Sequence, residues 1–548
     1  MTLLSRFLAR LYKLPPAETY AIAIDKGLAV PMADGVTLRA DRYYPLGAPT
    51  APTVLIRTPY GRSRLGVIWG QLFAERGFQV VIQSCRGTDD SGGTRNPFRG
   101  EREDGLATLT WLQAEDWFDG RLGMAGPSYM GFTQWAIASE AGPMLKALCT
   151  HVTSSEFRSG MYPGESFNLA LWLQWIQITH SFSASLPQYL NTMVTANRRL
   201  REATSRLPLR EADTVLVGKP VPFWRDWLEH TEPADPWWAS EDHSLRVADA
   251  SAPNHLISGW YDLFLPQLLR DYAVLRQAGH APYLTIGPWS HSSNALAEAG
   301  LRESLIWLRA HLLGGREALR AAPVRIYVMG ADEWRDLPSW PPTQIQMQRW
   351  HLHPDAALVT AAPPNSQPSR FQYDPLNPTP SVGGAINATL GRGAGTQDNH
   401  RLEARPDVLV FTSAPLERDL EIIGPVSAEV FLASSLEHTD LFVRLCDVYA
   451  DGRSMNVCDG LQRLFPNSPA PDTGGCRRVC IDLWPTAYRF TRGHRIRVQV
   501  SSGAFPRFAR NLGTGEPLAT GTAMRVAQQQ VYHDPARPSA ILLPAAQA

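Results

Sequence analysis

What most limits the fold of this chain is a change of texture along it. Up to about residue 342, short apolar runs alternate with helical patterns. Thr53–Arg57, Phe78–Gln83, Leu122–Ala125, Leu145–Cys149, His255–Gly259 and Tyr283–Ile286 read as buried strands. Val67–Glu75, Glu103–Gln113 and Tyr129–Glu140 read as helices between them. Buried strands separated by helices predict a mostly parallel sheet with helices on both faces, an α/β fold. The stretch 150–245 interrupts this alternation. It carries six tryptophans and reads as helical, Phe167–Gln177 being apolar on most sides. It is expected to be a helical cap inserted between two strands of one sheet.

Beyond residue 380 the pattern is different. Val408–Phe411, Val426–Phe431, Leu441–Leu445 and Ile496–Val500 are short, several alternate apolar with polar residues, and Gly, Pro and Asp separate them. This predicts an all-β sandwich or jelly roll. Sixteen of the 17 tryptophans lie at or before Trp350, and prolines from Pro338 to Pro380 accompany the change. Proline at that density continues neither a helix nor a central strand. The expected domains are therefore a discontinuous core of 1–149 and 246–342, a cap of 150–245, and a β domain of 343–548. At roughly 100–200 residues per domain, 548 residues accommodate three.

Lys+Arg 52 against Asp+Glu 52 leaves no basic excess to hold a nucleic acid. Cys476 and Cys480 are close in sequence, but no second pair or histidine cluster completes a zinc site, so no metal is expected. No stretch reaches the ~18 uncharged apolar residues that span a bilayer. At the N-terminus Leu3, Leu4, Phe7, Leu8 and Leu11 recur at helical spacing, with Arg6, Arg10 and Lys13 between them. Arg6 and Arg10 break the apolar stretch that a secretory signal needs. The segment reads as a helix packed on its own protein or on a partner subunit, contact with a membrane surface being the alternative. A cytoplasmic protein with reduced thiols is expected, and a homo-oligomer is an open possibility.

The chemistry is concentrated in Arg121-Leu-Gly-Met-Ala-Gly-Pro-Ser-Tyr-Met-Gly131. A strand runs into Gly-X-Ser and a helix follows at once, the setting of a nucleophile elbow that exposes Ser128 at the strand's carboxyl end. A serine hydroxyl needs a histidine to take its proton, and that histidine needs an acid to orient it. Two later strands end suitably, one in Gly259-Trp-Tyr-Asp262 and one in Gly287-Pro-Trp-Ser-His291. Ser128, Asp262 and His291 thus occur in the order nucleophile, acid, base. Taken singly, Asp262 could cap the next helix and His291 could be an ordinary loop residue.

With these motifs the chain resembles the family of cocaine esterase, α-amino-acid ester hydrolases, glutaryl acylases and X-Pro dipeptidyl-peptidases. Its elbow reads Gly-X-Ser-Tyr-X-Gly, here Gly126 to Gly131, which accounts for a glycine one place later than usual. Met329–Trp334, Asp374-Pro375, Asp447–Gly452 and Gly493–Val498 are also similar to the family's segments. The resemblance implies an α/β-hydrolase core with an inserted helical cap and a C-terminal jelly roll, working without a cofactor. It implies Ser128 as nucleophile, His291 as base and Asp262 as orienting acid. It also implies an oxyanion hole formed by the Tyr129 backbone N–H and the Tyr60 hydroxyl. Trp175 and Phe264 match positions that line the acyl pocket in the family's esterase, although both could equally be cap core. Enzymes of the family that bind a substrate ammonium want clustered carboxylates, and the cap segment offers only Glu156 and Glu165. The expected activity is hydrolysis of a small-molecule carboxylic ester or related amide through an acyl-enzyme. The alternatives are an X-Pro dipeptidyl-peptidase or α-amino-acid ester hydrolase, or a catalytically dead protein that binds through its jelly roll.

Overall fold

The computed structural model describes residues 3–546 apart from 20, 49, 183–185, 388–392 and 467–468, with 186–193 described by backbone alone. The apolar runs of the first 340 residues form one ten-stranded sheet. Its strands are β1 (Ile22–Pro31), β2 (Thr37–Pro45), β3 (Thr53–Thr58), β4 (Gln79–Ser84), β5 (Leu122–Pro127), β6 (Leu145–His151), β7 (Asn254–Tyr261), β8 (Tyr283–Ser290), β9 (Val324–Val328) and β10 (Glu333–Leu337). Their spatial order is β1-β2-β4-β3-β5-β6-β7-β8-β9-β10. The seven strands from β4 to β9 in that order pair in parallel, while β1, β2 and β10 are antiparallel additions at the edges. β3, β4 and β7 are buried at every residue, as strands covered by helices on both faces must be. The sheet therefore brings the carboxyl ends of β3, β5, β7 and β8 to one edge, where open α/β sheets hold their ligands.

Two helices depart from the sequence expectation. The one read as Val67–Glu75 begins at Arg62 and contains a wide turn over Gly66–Gln71. The one read as Tyr129–Glu140 ends at Trp135 and continues as tighter turns, in which the N–H groups of Ile137 and Glu140 bond to carbonyls three residues back. The N-terminal helix, Leu3–Leu11, packs Leu8 and Ala9, with Tyr12 just past its end, on the cluster around Trp69 and Phe73, and its Ser5 hydroxyl donates to Glu75 at 2.9 Å. Leu3 (85%) and Phe7 (62%) are exposed. Among the described residues, no helix is long and apolar enough to cross a membrane.

Between β6 and β7 the chain leaves the sheet and forms the helices Arg158–Met161, Leu169–Ser181, Leu186–Ser205, Ala212–Val217 and Pro222–Glu229. Trp172, Trp224 and Trp227 are fully buried in an aromatic cluster that also takes in Phe98, Tyr129 and Phe132 of the core. The inserted helices are thus packed onto the carboxyl edge of the sheet through a shared apolar interior. After Leu337 the chain enters a second β region at Ile345, made of an eight-stranded and a four-stranded antiparallel sheet. Val430, Leu432 and Ile481 of the larger sheet share one core with Leu441, Leu445 and Val500 of the smaller.

Candidate active site

Ser128 lies immediately after β5, with φ 59° and ψ −124°, a conformation that few non-glycine residues adopt. Its surroundings hold it there. The Ser128 N–H donates to the His151 carbonyl at 2.8 Å, and the Thr153 hydroxyl donates to the Ser128 carbonyl at 2.8 Å. The flanking glycines are steric requirements. A Cβ on Gly126, at φ 139°, would come within 2.6 Å of the Met130 side chain, and one on Gly131 within 2.5 Å of Thr153. The late glycine of the motif is therefore the residue that lets the elbow helix lie against the end of β6.

Asp262 follows β7 and is fully buried; His291 follows β8. His291 Nδ1 is 2.6 Å from Asp262 Oδ1, and His291 Nε2 is 3.2 Å from Ser128 Oγ. The second oxygen of Asp262 accepts from the Ser258 hydroxyl at 2.9 Å and from the Phe264 N–H at 3.3 Å. Both carboxylate oxygens are thus engaged, and the ring can take only one orientation towards the serine.

Tyr60 follows β3. Its hydroxyl accepts from Trp175 Nε1 at 3.2 Å and also reaches Ser128, and burial pushes its pKa up, keeping it a neutral donor. Tyr129 is the first residue of its helix, so its N–H has no acceptor within that helix. The Tyr129 side chain points away from the nucleophile. Its hydroxyl donates to Glu101 Oε1 at 2.6 Å and accepts from the Phe98 N–H at 2.8 Å. Glu101 in turn pairs with Arg57 at 2.9 Å, both side chains being buried.

A cavity of about 250 Å³ opens over Ser128 and His291. Trp172 and Trp175 of the cap, Phe157, Phe264 and Phe98 wall it, and no carboxylate lines it among the described residues. Glu156 is taken up by Arg270 at 2.8 Å and by Ser159, and Glu165 by Arg158. Of the seven residues singled out in the sequence, Tyr60, Ser128, Tyr129, Trp175, Phe264 and His291 border this one cavity, and Asp262 holds the His291 ring.

Three features escaped the sequence reading. Ser258 supports Asp262 from four residues upstream. Arg57 and Glu101 brace the elbow through Tyr129; the only trace of them is a cation in the apolar run of β3. Asn387 reaches the cavity rim from the C-terminal third and accepts from the Ser292 hydroxyl at 2.9 Å.

Comparison with known proteins places the chain in a family. Residues 34–293 match the X-Pro dipeptidyl-peptidase (S15) family, and residues 317–542 match the X-Pro dipeptidyl-peptidase C-terminal non-catalytic domain. Cocaine esterase of Rhodococcus sp. (strain MB1 Bresler) is 32% identical over 572 aligned residues, covering 96% of this chain and 98% of the relative. Among solved structures, an aminopeptidase from a marine sediment Thaumarchaeota archaeon superposes with a TM-score of 0.81 at 21% identity, covering 97% of this chain and 98% of that one. An α-amino acid ester hydrolase superposes with a TM-score of 0.78 at 22% identity and the same coverage. Those two structures bear on the fold, an α/β hydrolase with a C-terminal non-catalytic domain. This chain belongs to the family of serine hydrolases that includes cocaine esterase and the X-Pro dipeptidyl-peptidases.

Proposed function

We propose that the protein hydrolyses carboxylic esters of apolar or aromatic acids through an acyl-enzyme on Ser128. In this reading the Ser128 hydroxyl attacks the ester carbonyl carbon as His291 Nε2 takes its proton. The Asp262 carboxylate holds His291 by its Nδ1–H and offsets the charge the ring acquires. The carbonyl oxygen becomes an oxyanion that accepts from the Tyr129 N–H and the Tyr60 hydroxyl. As the tetrahedral centre collapses, the C–O bond to the alcohol breaks and His291 returns the proton to the leaving oxygen. Water then repeats the sequence on the acyl-enzyme, releasing the acid and restoring Ser128.

The observation that carries the substrate class is the wall of the cavity. It is aromatic, and the two carboxylates that could have bound a substrate ammonium are held by arginines. A buried site without a counter-charge penalises an amino-terminal substrate and favours a neutral acyl group. The test compares p-nitrophenyl benzoate and butyrate with Gly-Pro-p-nitroanilide. Higher kcat/KM on the esters is expected; a preference for the dipeptide anilide would assign a peptidase instead.

A further inference from the structure

Arg95 is a partly buried cation without an anion. It lies in the loop between β4 and the helix Glu101–Gln113. Its Nε and Nη2 are buried and lack hydrogen-bond partners. Among the described residues, no carboxylate lies within ion-pair distance of it. Tyr60, Tyr129 and Cys85, all neutral, act on it, and its charge is also felt by His180. Leaving two guanidinium nitrogens buried and unpartnered costs stability.

What lies nearby is the oxyanion apparatus. The Arg95 Cζ is 5.4 Å from the ring centroid of Trp175 and 5.7 Å from that of Phe223. Trp175 also stacks on Tyr129 (6.4 Å between centroids, 6° between planes) and on Phe98 (6.0 Å, 27°). The same indole gives its N–H to the Tyr60 hydroxyl oxygen at 3.2 Å. An oxygen that accepts from the indole keeps its own proton for another acceptor, and Ser128 is within its reach. Arg95, Trp175 and Tyr60 therefore form a chain that ends at the position of the oxyanion.

We propose that Arg95 is a positioning residue for catalysis, strengthening Tyr60 as an oxyanion donor through its charge and through the indole it covers. When Tyr60 donates to the oxyanion, negative charge spreads onto the phenol oxygen. A fixed cation in a water-poor pocket stabilises that charge and requires no reorganisation as the charge develops. The absence of a carboxylate partner then has a purpose, since a paired Arg95 would have its field cancelled. The field of Arg95 also opposes the upward push that burial exerts on the Tyr60 pKa.

This inference rests on Tyr60 as an oxyanion donor, and a mutant cycle separates the two claims. Arg95→Met keeps a stem over Trp175 but removes the charge; Arg95→Lys keeps the charge. With p-nitrophenyl butyrate, Arg95→Met is expected to lower kcat about tenfold with KM within about twofold, as loss of a transition-state interaction does. Arg95→Lys should recover most of that loss. Tyr60→Phe should lower kcat by about 10²–10³-fold. Adding Arg95→Met to Tyr60→Phe should cost little more, because the charge acts through the missing hydroxyl. An unchanged kcat in Arg95→Met, a full tenfold further loss in the Tyr60→Phe background, or a Lys variant as slow as the Met variant would each overturn the proposal. An unchanged kcat in Tyr60→Phe alone would instead remove Tyr60 from the oxyanion hole. If Arg95→Met does not fold, Arg95→Gln serves the same cycle, with circular dichroism to check the fold.

Discussion

Glu101→Gln would test how the elbow is braced. Arg57 and Glu101 are 0% and 4% exposed in their side chains and lie 2.9 Å apart. Arg57 also donates to Gln83 Oε1 at 2.8 Å and to the Glu101 carbonyl at 2.7 Å, so two of its contacts survive the substitution. What is lost is the one carboxylate in ion-pair contact with the fully buried Arg57 guanidinium among the described residues, Asp104 acting on it only from farther off. Removing one partner of a buried pair typically costs about 3–5 kcal/mol, far more than the pair contributes over a neutral replacement. Glu101→Gln should therefore destabilise the core by about 3 kcal/mol or more. Arg57→Met together with Glu101→Gln should recover much of that loss, since neither charge is then stranded. The measurement is urea unfolding at pH 7, following loss of esterase activity and tryptophan fluorescence together, because a chain of several domains need not unfold in one step. A loss below about 1 kcal/mol in the single variant would show that the pair does not brace the elbow. So would a double variant as unstable as the single one.

Other outcomes follow from the same coordinates. Ser258→Ala removes one of the two donors to the outer oxygen of Asp262, and kcat should fall about tenfold with KM little changed; equal kcat would mean that Phe264 N–H alone holds the acid. Trp175→Ala should raise KM for p-nitrophenyl benzoate about tenfold and for the acetate much less, as the ring contact is lost; equal effects on both would take Trp175 out of the acyl pocket. His151 is buried and lowered to about 3, while unfolded it titrates near 6.5, so its contribution to stability is present above pH 6.5 and drains away as pH falls towards 3. Between pH 6.5 and 5 that share is about 2 kcal/mol, and His151→Gln should flatten the urea-midpoint profile over this window; an unaltered profile would show that His151 takes up its proton without unfolding.

The convergence of Ser128, Asp262 and His291 could be read from the sequence because each directly follows a buried strand. The runs 122–125, 255–259 and 283–286 are apolar enough to be found by pattern. In a parallel sheet their carboxyl ends must share an edge, so Ser128, Asp262 and His291 follow from local signals and one topological rule. The residues that support them leave weaker traces. β1 and, at the opposite edge, Glu333–Leu337 are partly exposed and escaped notice, as did β2, which is largely buried but broken in sequence by Arg39, Asp41 and Arg42. Edge strands that face solvent lack the unbroken apolar run that marks a central strand. Glu101 lies in the first turn of an ordinary-looking helix, and only the fold shows that it faces Arg57 and Tyr129. Asn387 meets Ser292 through contact between the β region and the core, and no local pattern records a pairing over that distance. Arg95 is invisible for a further reason: its significance lies in a partner it lacks.

The most direct test of serine catalysis at this site is covalent labelling by a fluorophosphonate, located by peptide mass spectrometry. The phosphonyl adduct is expected on Ser128, with labelling abolished in Ser128→Ala and strongly slowed in His291→Gln. An adduct on another serine, or labelling that persists in Ser128→Ala, would contradict the assignment of Ser128 as the nucleophile.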